Sequence, residues 1–172
     1  MHPKYKKKYR VGNWPDYDRA LVQRGDVTLW LAPHAIATWE TAGVGKRAGQ
    51  LQYSDVAIET ALTLRLLFHL PLRQTEGFLR SIFGMLGLDL SAPDHTTLSR
   101  RGQRLDVALG RSLATGPIHL SLAETTMSRY KTIIGPLVRA RTRQGQRVEA
   151  RVGCQILNRM TSLGMPESHR VD

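Results

Sequence analysis

One cysteine, Cys154, is all that the 172 residues contain, which excludes an intramolecular disulfide and any cysteine-rich zinc module. It sits among apolar residues at helical spacing, so a buried structural thiol is expected. Long hydrophobic runs are missing too. The longest apolar stretch, Ala61 to Leu72, is interrupted by Arg65 and His69 and is too short to span a bilayer. The opening Met1-His2-Pro3-Lys4 is basic but no apolar segment follows, unlike a secretory leader. An intracellular protein with no membrane partner is therefore expected. Acidic residues are scarce: 14 Asp+Glu against 25 Lys+Arg give a net charge of +11 and a pI of about 10.5. Such a chain attracts polyanions, because neutralising phosphates releases condensed counterions. Charge alone leaves open a ribosome-associated or merely basic soluble protein.

What is present is enough for a core. Hydrophobic residues make up 41% of the chain, and the length suits one domain, or one domain and a fragment of another. Residues 1–13 read as a basic arm in which Lys4, Lys6, Lys7, Lys8 and Arg10 meet no acid and Tyr5 and Tyr9 interleave. That pattern fits either a solvated terminus or an arm touching phosphates. Short helices are expected over Asp18–Arg24 and His34–Glu40. Between them and the next element lies a basic loop with Gly43, Gly45, Gly49, Lys46 and Arg47. It lacks the Gly-Lys-Ser/Thr ending of a phosphate-cradling loop.

From Ser54 the periodicity sharpens. Ser54 or Asp55 can cap a helix running to about His69, with Ala57, Ala61, Leu64 and Phe68 along one side, and Pro71 stops it. A second helix carries Leu72, Thr75, Phe78, Leu79, Ile82, Phe83 and Leu86 at steps of three and four, closed by Gly87. After a turn with Pro93, Asp94 caps a third helix that opens His95-Thr96-Thr97-Leu98-Ser99-Arg100-Arg101 and continues through Arg104 and Leu105. Three helices in this order describe a helix-turn-helix. Hydroxyls of Thr96, Thr97 and Ser99 can reach base edges or phosphates, and Arg100, Arg101 and Arg104 can clamp guanine or phosphate. A plain helical bundle whose third helix has a solvated basic face is the alternative.

The second half reads differently. Pro117-Ile118-His119-Leu120-Ser121-Leu122 alternates like a short β-strand, and a helix is expected from Ala123-Glu124 through Met127, Tyr130 and Ile134 to Gly135-Pro136. Residues 124–151 hold seven Lys/Arg against Glu124 and Glu149. A last amphipathic helix aligns Val148, Val152, Ile156, Met160 and Leu163 before Gly164 and Pro166. These two apolar stripes require a surface to cover them.

Several strings together carry a resemblance. They are Lys8-Tyr9-Arg10 with Trp14 and Tyr17-Asp18, Tyr53-Ser54-Asp55 to Leu64, Leu70-Pro71-Leu72-Arg73-Gln74-Thr75-Glu76-Gly77-Phe78, and Pro93-Asp94 to Arg101. In the second half they are Arg129 to Pro136, Glu149 to Cys154, and Asn158-Arg159-Met160. These resemble bacterial insertion-sequence transposases of the IS-five type over nearly the whole chain. The resemblance implies a DNA-binding N-terminal part, then an RNase-H-like catalytic domain in which two Asp and one Glu hold Mg²⁺ for phosphodiester chemistry. It also implies a cytoplasmic, nucleoid-associated protein, with duplex DNA at the element ends as partner and full-length transposase or a second copy as possible protein partners.

This chain departs from that pattern. The family signature runs Tyr, two residues, Arg, three residues, Glu, six residues, Lys. Glu124 and Lys131 match its second half, but Pro117 and Leu120 occupy the Tyr and Arg positions. The strand at 116–122, which should run into the first Asp, meets Ala123. Both catalytic Asp residues and the sheet between them are expected to be missing through an internal deletion. Glu124 and Lys131 are then relics, Glu124 could hold a metal only if other acids completed the set, and no cofactor is expected in this chain. The expected fold is mainly α: a basic arm at 1–13, a helical helix-turn-helix domain at 14–108, and an incomplete RNase-H-like α/β remnant at 116–172. The expected function is recognition of terminal inverted repeats without catalysis. A regulator competing with full-length transposase, a decayed reading frame, and an enzyme completed by acids of another subunit are the alternatives.

Overall fold

The computed structural model describes residues 8–41, 52–109 and 120–171, with side chains described over 10–41, 52–109 and 125–169. The chain runs through β1 (Lys8–Val11), α1 (Trp14–Arg24), α2 (Val27–Trp30), α3 (Pro33–Ala37), α4 (Asp55–Leu67), α5 (Leu72–Met85), α6 (His95–Gly102), α7 (Leu120–Ile133), α8 (Arg143–Ser162) and β2 (Ser168–Val171). It is mainly helical, as the periodicity predicts. The arm residues Lys6 and Lys7, the glycine-rich loop and the stretch 110–119 lie outside the described residues.

Helix α4 is the hub. Ser54 caps it by accepting a hydrogen bond from the Ala57 N–H at 3.1 Å. Sequence periodicity gave it one apolar side. In the fold every residue from Ala57 to Leu66 except the half-buried Glu59 is buried, with Thr60, Thr63 and Arg65 among the apolar residues. A helix apolar on most sides needs neighbours on most sides, and α2, α3, α5, α6 and α8 supply them. Phe68 falls outside this packing. It is partly exposed and rests on Phe78 of α5, ring centroids 4.9 Å apart. Trp39 is fully buried, edge-on to Phe83 at 5.0 Å, and its indole N–H donates to the Ser91 carbonyl at 2.8 Å. Tyr53 donates its hydroxyl to the Ala92 carbonyl at 3.1 Å. These two bonds pin the turn that leads into α6.

The apolar stripe of α8 finds its cover here. Val148, Val152, Ile156 and Met160 belong to the same buried cluster as Ile58, Ala61, Leu64, Leu79 and Leu98. A division near residue 116 was expected, and the core runs across that point. Polar ties reinforce it. Gln155 of α8 donates to Glu59 of α4 at 2.6 Å, Arg24 of α1 donates to the Gly164 carbonyl at 2.7 Å, and Arg159 lies 5.8 Å above the Trp30 ring. The two ends of the chain also meet: β1 pairs antiparallel with β2, Lys8 opposite Val171 and Val11 opposite Ser168. Lys8, expected in a free arm, is therefore a strand residue.

Three local expectations change. Leu120–Leu122, read as the end of a strand, form the first turn of α7, and 117–119 lie outside the described residues. A helix satisfies backbone N–H and C=O groups within the segment, whereas a lone strand needs a partner. Helix α6 ends at Gly102 rather than continuing through Arg104 and Leu105. Gly102 lies against Leu62, where an added Cβ would be 3.2 Å from Cδ1. Cys154 is exposed, not buried. With Val152 and Ile156 turned to the core, a residue two positions along the helix points outward.

Candidate nucleic-acid interface

The strongest candidate site is built on α6. Asp94 sits at its N-cap, accepting from the N–H groups of Thr96 and Thr97 at 2.7 Å each, with both threonine hydroxyls also donating to its carboxylate. These bonds, the Thr96 hydroxyl first, hold the Asp94 carboxyl down at about 2. The cap explains why a short helix with two arginines in its last turn forms at all.

Three further contacts fix its attitude. Leu98 is fully buried, the knob that seats α6 on the core. Glu76 of α5 accepts the His95 N–H at 3.1 Å, lies 3.0 Å from His95 Nδ1 and pairs with Arg80 at 2.6 Å. The His95 bonds hold its carboxyl below the usual range. Arg101 donates to the Tyr53 carbonyl at 2.9 Å and to Asp55 at 2.6 Å. Its guanidinium, expected to face DNA, is turned inward onto the start of α4, leaving its side chain 16% exposed.

The outer flank of α6 is open. Thr96, Ser99 and Arg100 are exposed along one side of α6, and Arg104 is exposed just beyond its end. The side chains of Arg100 and Arg104 make no hydrogen bond or ion pair among the described residues. They line an open groove of about 790 Å³ together with Asp94, Thr97 and Gln144, and the paired Arg101 lies along its Tyr53 side. That groove shares Gln103, Arg104 and Gln144 with an adjoining one of about 540 Å³, whose further lining includes Arg143, Arg147 and Arg151 of α8. The α8 arginines were not named as site residues from sequence. Their fourfold spacing was visible, but the helix that faces them was not.

The expected metal-binding relics are placed less tellingly. Glu124 and Lys131 both lie on α7; Lys131 is exposed, and the Glu124 side chain is outside the described set. Acids elsewhere are engaged. Glu149, buried on α8, accepts from the N–H groups of Arg139 at 2.9 Å and Ala140 at 2.8 Å and lies 3.6 Å from Arg65. Asp94 is the α6 cap, and Asp106 pairs with Arg151 at 3.2 Å. Hard Mg²⁺ needs several oxygen ligands brought together. Among the described residues no three His, Cys, Asp or Glu side chains gather, so the donors there do not fit that ion.

A family model described as transposase DDE domain matches residues 22–131, more than half of the chain, from α1 nearly to the end of α7. The chain belongs to that family. No solved structure matches it with significance. No helix among the described residues is long and apolar enough to cross a membrane.

Proposed function

We propose that this chain binds the terminal inverted repeats of an insertion element as duplex DNA and does not itself cut or join them. One observation carries the reading. Helix α6 is capped by Asp94, seated by Leu98 and locked by Glu76 and Arg101, and it presents Ser99, Arg100 and Arg104 to solvent with the two latter guanidinium groups unpaired among the described residues. Helices α4, α5 and α6 act as a helix-turn-helix with α6 in the major groove. Arg100 and Arg104 make base or phosphate contacts, and Ser99 adds a hydrogen bond. The Thr96 and Thr97 hydroxyls, whose protons go to Asp94, can only accept from base amino groups, and Lys6, Lys7 and Lys8 lend sequence-independent attraction. Arg101 positions α6 rather than reading bases.

Intact members of the family use Mg²⁺ at an Asp-Asp-Glu trio. This chain retains the match for the Glu alone, at Glu124, and the two catalytic Asp residues are absent through an internal deletion. Residues 14–108 carry the DNA-binding domain and 116–172 descend from the catalytic domain. Holding the element ends without cutting them, the chain acts as a competitor of full-length transposase.

Binding of the purified chain to element-end and scrambled duplexes tests this. Arg100→Ala or Arg104→Ala should erode the preference for element ends by roughly 1–3 kcal/mol where the arginine contacts a base. With Mg²⁺ added, the element-end duplex should stay uncut. Equal affinity of the unaltered chain for both duplexes overturns specific recognition. Metal-dependent nicking that Glu124→Gln abolishes overturns the non-catalytic part.

A further inference from the structure

We infer that α8 is the second wall of the DNA-binding cleft, with Arg143 and Arg147 holding duplex phosphates beside the segment that α6 contacts. The inference rests on the DNA-binding reading above and adds where the backbone is gripped. It assigns a direct role in binding to a helix that sequence resemblance places in the catalytic part.

Position comes first. The groove along α6 and the groove along α8 are continuous through Gln103, Arg104 and Gln144. The two walls are also held closely together. Gly145 lies so near its neighbours that an added Cβ would be 3.0 Å from Ala140 Cβ and from Thr142 Oγ1, and 3.6 Å from Gln103 at the end of α6. The Gln103 contact, at ordinary van der Waals distance, sets the start of α8 beside the end of α6.

Charge comes second. Arg143, Arg147 and Arg151 recur every four residues and share one flank of the helix. At about 1.5 Å per residue the row spans roughly 12 Å, the length of three to four base steps. Arg143 and Arg147 are exposed and unpaired among the described residues. Arg151 has only an exposed pair with Asp106, a weak contact that a phosphate can displace. Glu149 is the one acid on α8, and it is buried and turned inward onto Arg65 and the Arg139 and Ala140 N–H groups. No carboxylate of α8 itself therefore offsets the arginine row. A merely solvated basic helix has no reason to align that row with a second cationic helix across a groove. A polyanion tracking both does.

The test is a salt titration of the full chain on one fluorescent duplex, comparing the unaltered protein, Arg143→Gln/Arg147→Gln and Arg100→Gln/Arg104→Gln. Equal unfolding midpoints verify that each variant is folded; both pairs are exposed and Gln is tolerated in helices. The α8 pair should lower the slope of log K against log salt by about 2 units while leaving the ratio of element-end to scrambled affinity unchanged. If the α8 pair leaves the slope intact while the α6 pair reduces it, the inference falls and the DNA-binding reading stands. Absence of binding by the unaltered chain removes both. Tighter binding to single-stranded RNA than to duplex DNA, lost in the α8 pair, also overturns the inference.

Discussion

Replacing Ile156 by Ala tests how the two halves of the chain are joined. Ile156 lies on α8, 1% exposed, inside the cluster that includes Ile58, Ala61 and Leu64 of α4. The change removes three methyl or methylene groups. At about 0.8 kcal/mol each their transfer is worth roughly 2.4 kcal/mol, and the cavity left beside the rigid α4 raises the total to about 3 kcal/mol, within the usual range for such truncations. A domain holds roughly 5–15 kcal/mol in all, so the loss is large but survivable. The readout is hydrogen exchange at the α4 amides of Ala61 to Leu64, which sit far from residue 156 in sequence. If the body unfolds as one unit, those amides should exchange roughly a hundredfold faster in the variant, since 1.4 kcal/mol is a factor of ten. Unchanged exchange in α4, with acceleration confined to α8, would refute the shared core.

Two further outcomes follow from local geometry. Asp94→Ala should cost about 1 kcal/mol at neutral pH through loss of the α6 cap, measured by denaturant midpoint, and should weaken DNA binding in parallel. The carboxyl is lowered from the ordinary aspartate value of 3.8 to about 2 in the fold, so its contribution is complete above about 3.8 and is lost as pH falls through about 2. The stability gap between variant and parent should therefore close over that window. Gly153→Ala should separate α7 from α8, because an added Cβ would lie 2.7 Å from the Tyr130 ring. The Tyr130 fluorescence environment should change, and stability should drop by roughly 1–3 kcal/mol as in other overpacked contacts.

The parts of the fold legible in the sequence are those set by local chemistry. Asp94, and Ser54 or Asp55, were readable as caps because a hydroxyl or carboxylate before an apolar period has few other uses, and Ser54 and Asp94 make the capping bonds. Gly87 was readable as a stop and takes the left-handed φ of +63 that glycine tolerates best. The regular stripe of α8 announced a buried face but not its partner. Periodicity specifies that a side is covered, and only the tertiary fold says by what. The pairing of β1 with β2 joins the two ends of the chain, and four-residue strands without turn chemistry between them leave no local trace.

The same limit shaped the site. Ser99, Arg100 and Arg104, singled out from the sequence, are exposed in the fold. Arg101 differs from Arg100 by one residue, a turn of about 100° around the helix, and that rotation carries it from solvent to Asp55. The strand reading at Leu120–Leu122 followed an alternation that a helix can also carry. The apolar stripe of α8 was legible, and the core shows that it packs on α4.

The central claim is that this chain is a DNA-binding body of the transposase family, and the salt dependence of duplex binding tests it most directly. With a net charge of +11 and about six phosphates neutralised across α6, α8 and the basic N-terminal residues, log K should fall against log salt with a slope near −5. A slope near zero, or no duplex binding at low salt, would contradict the account.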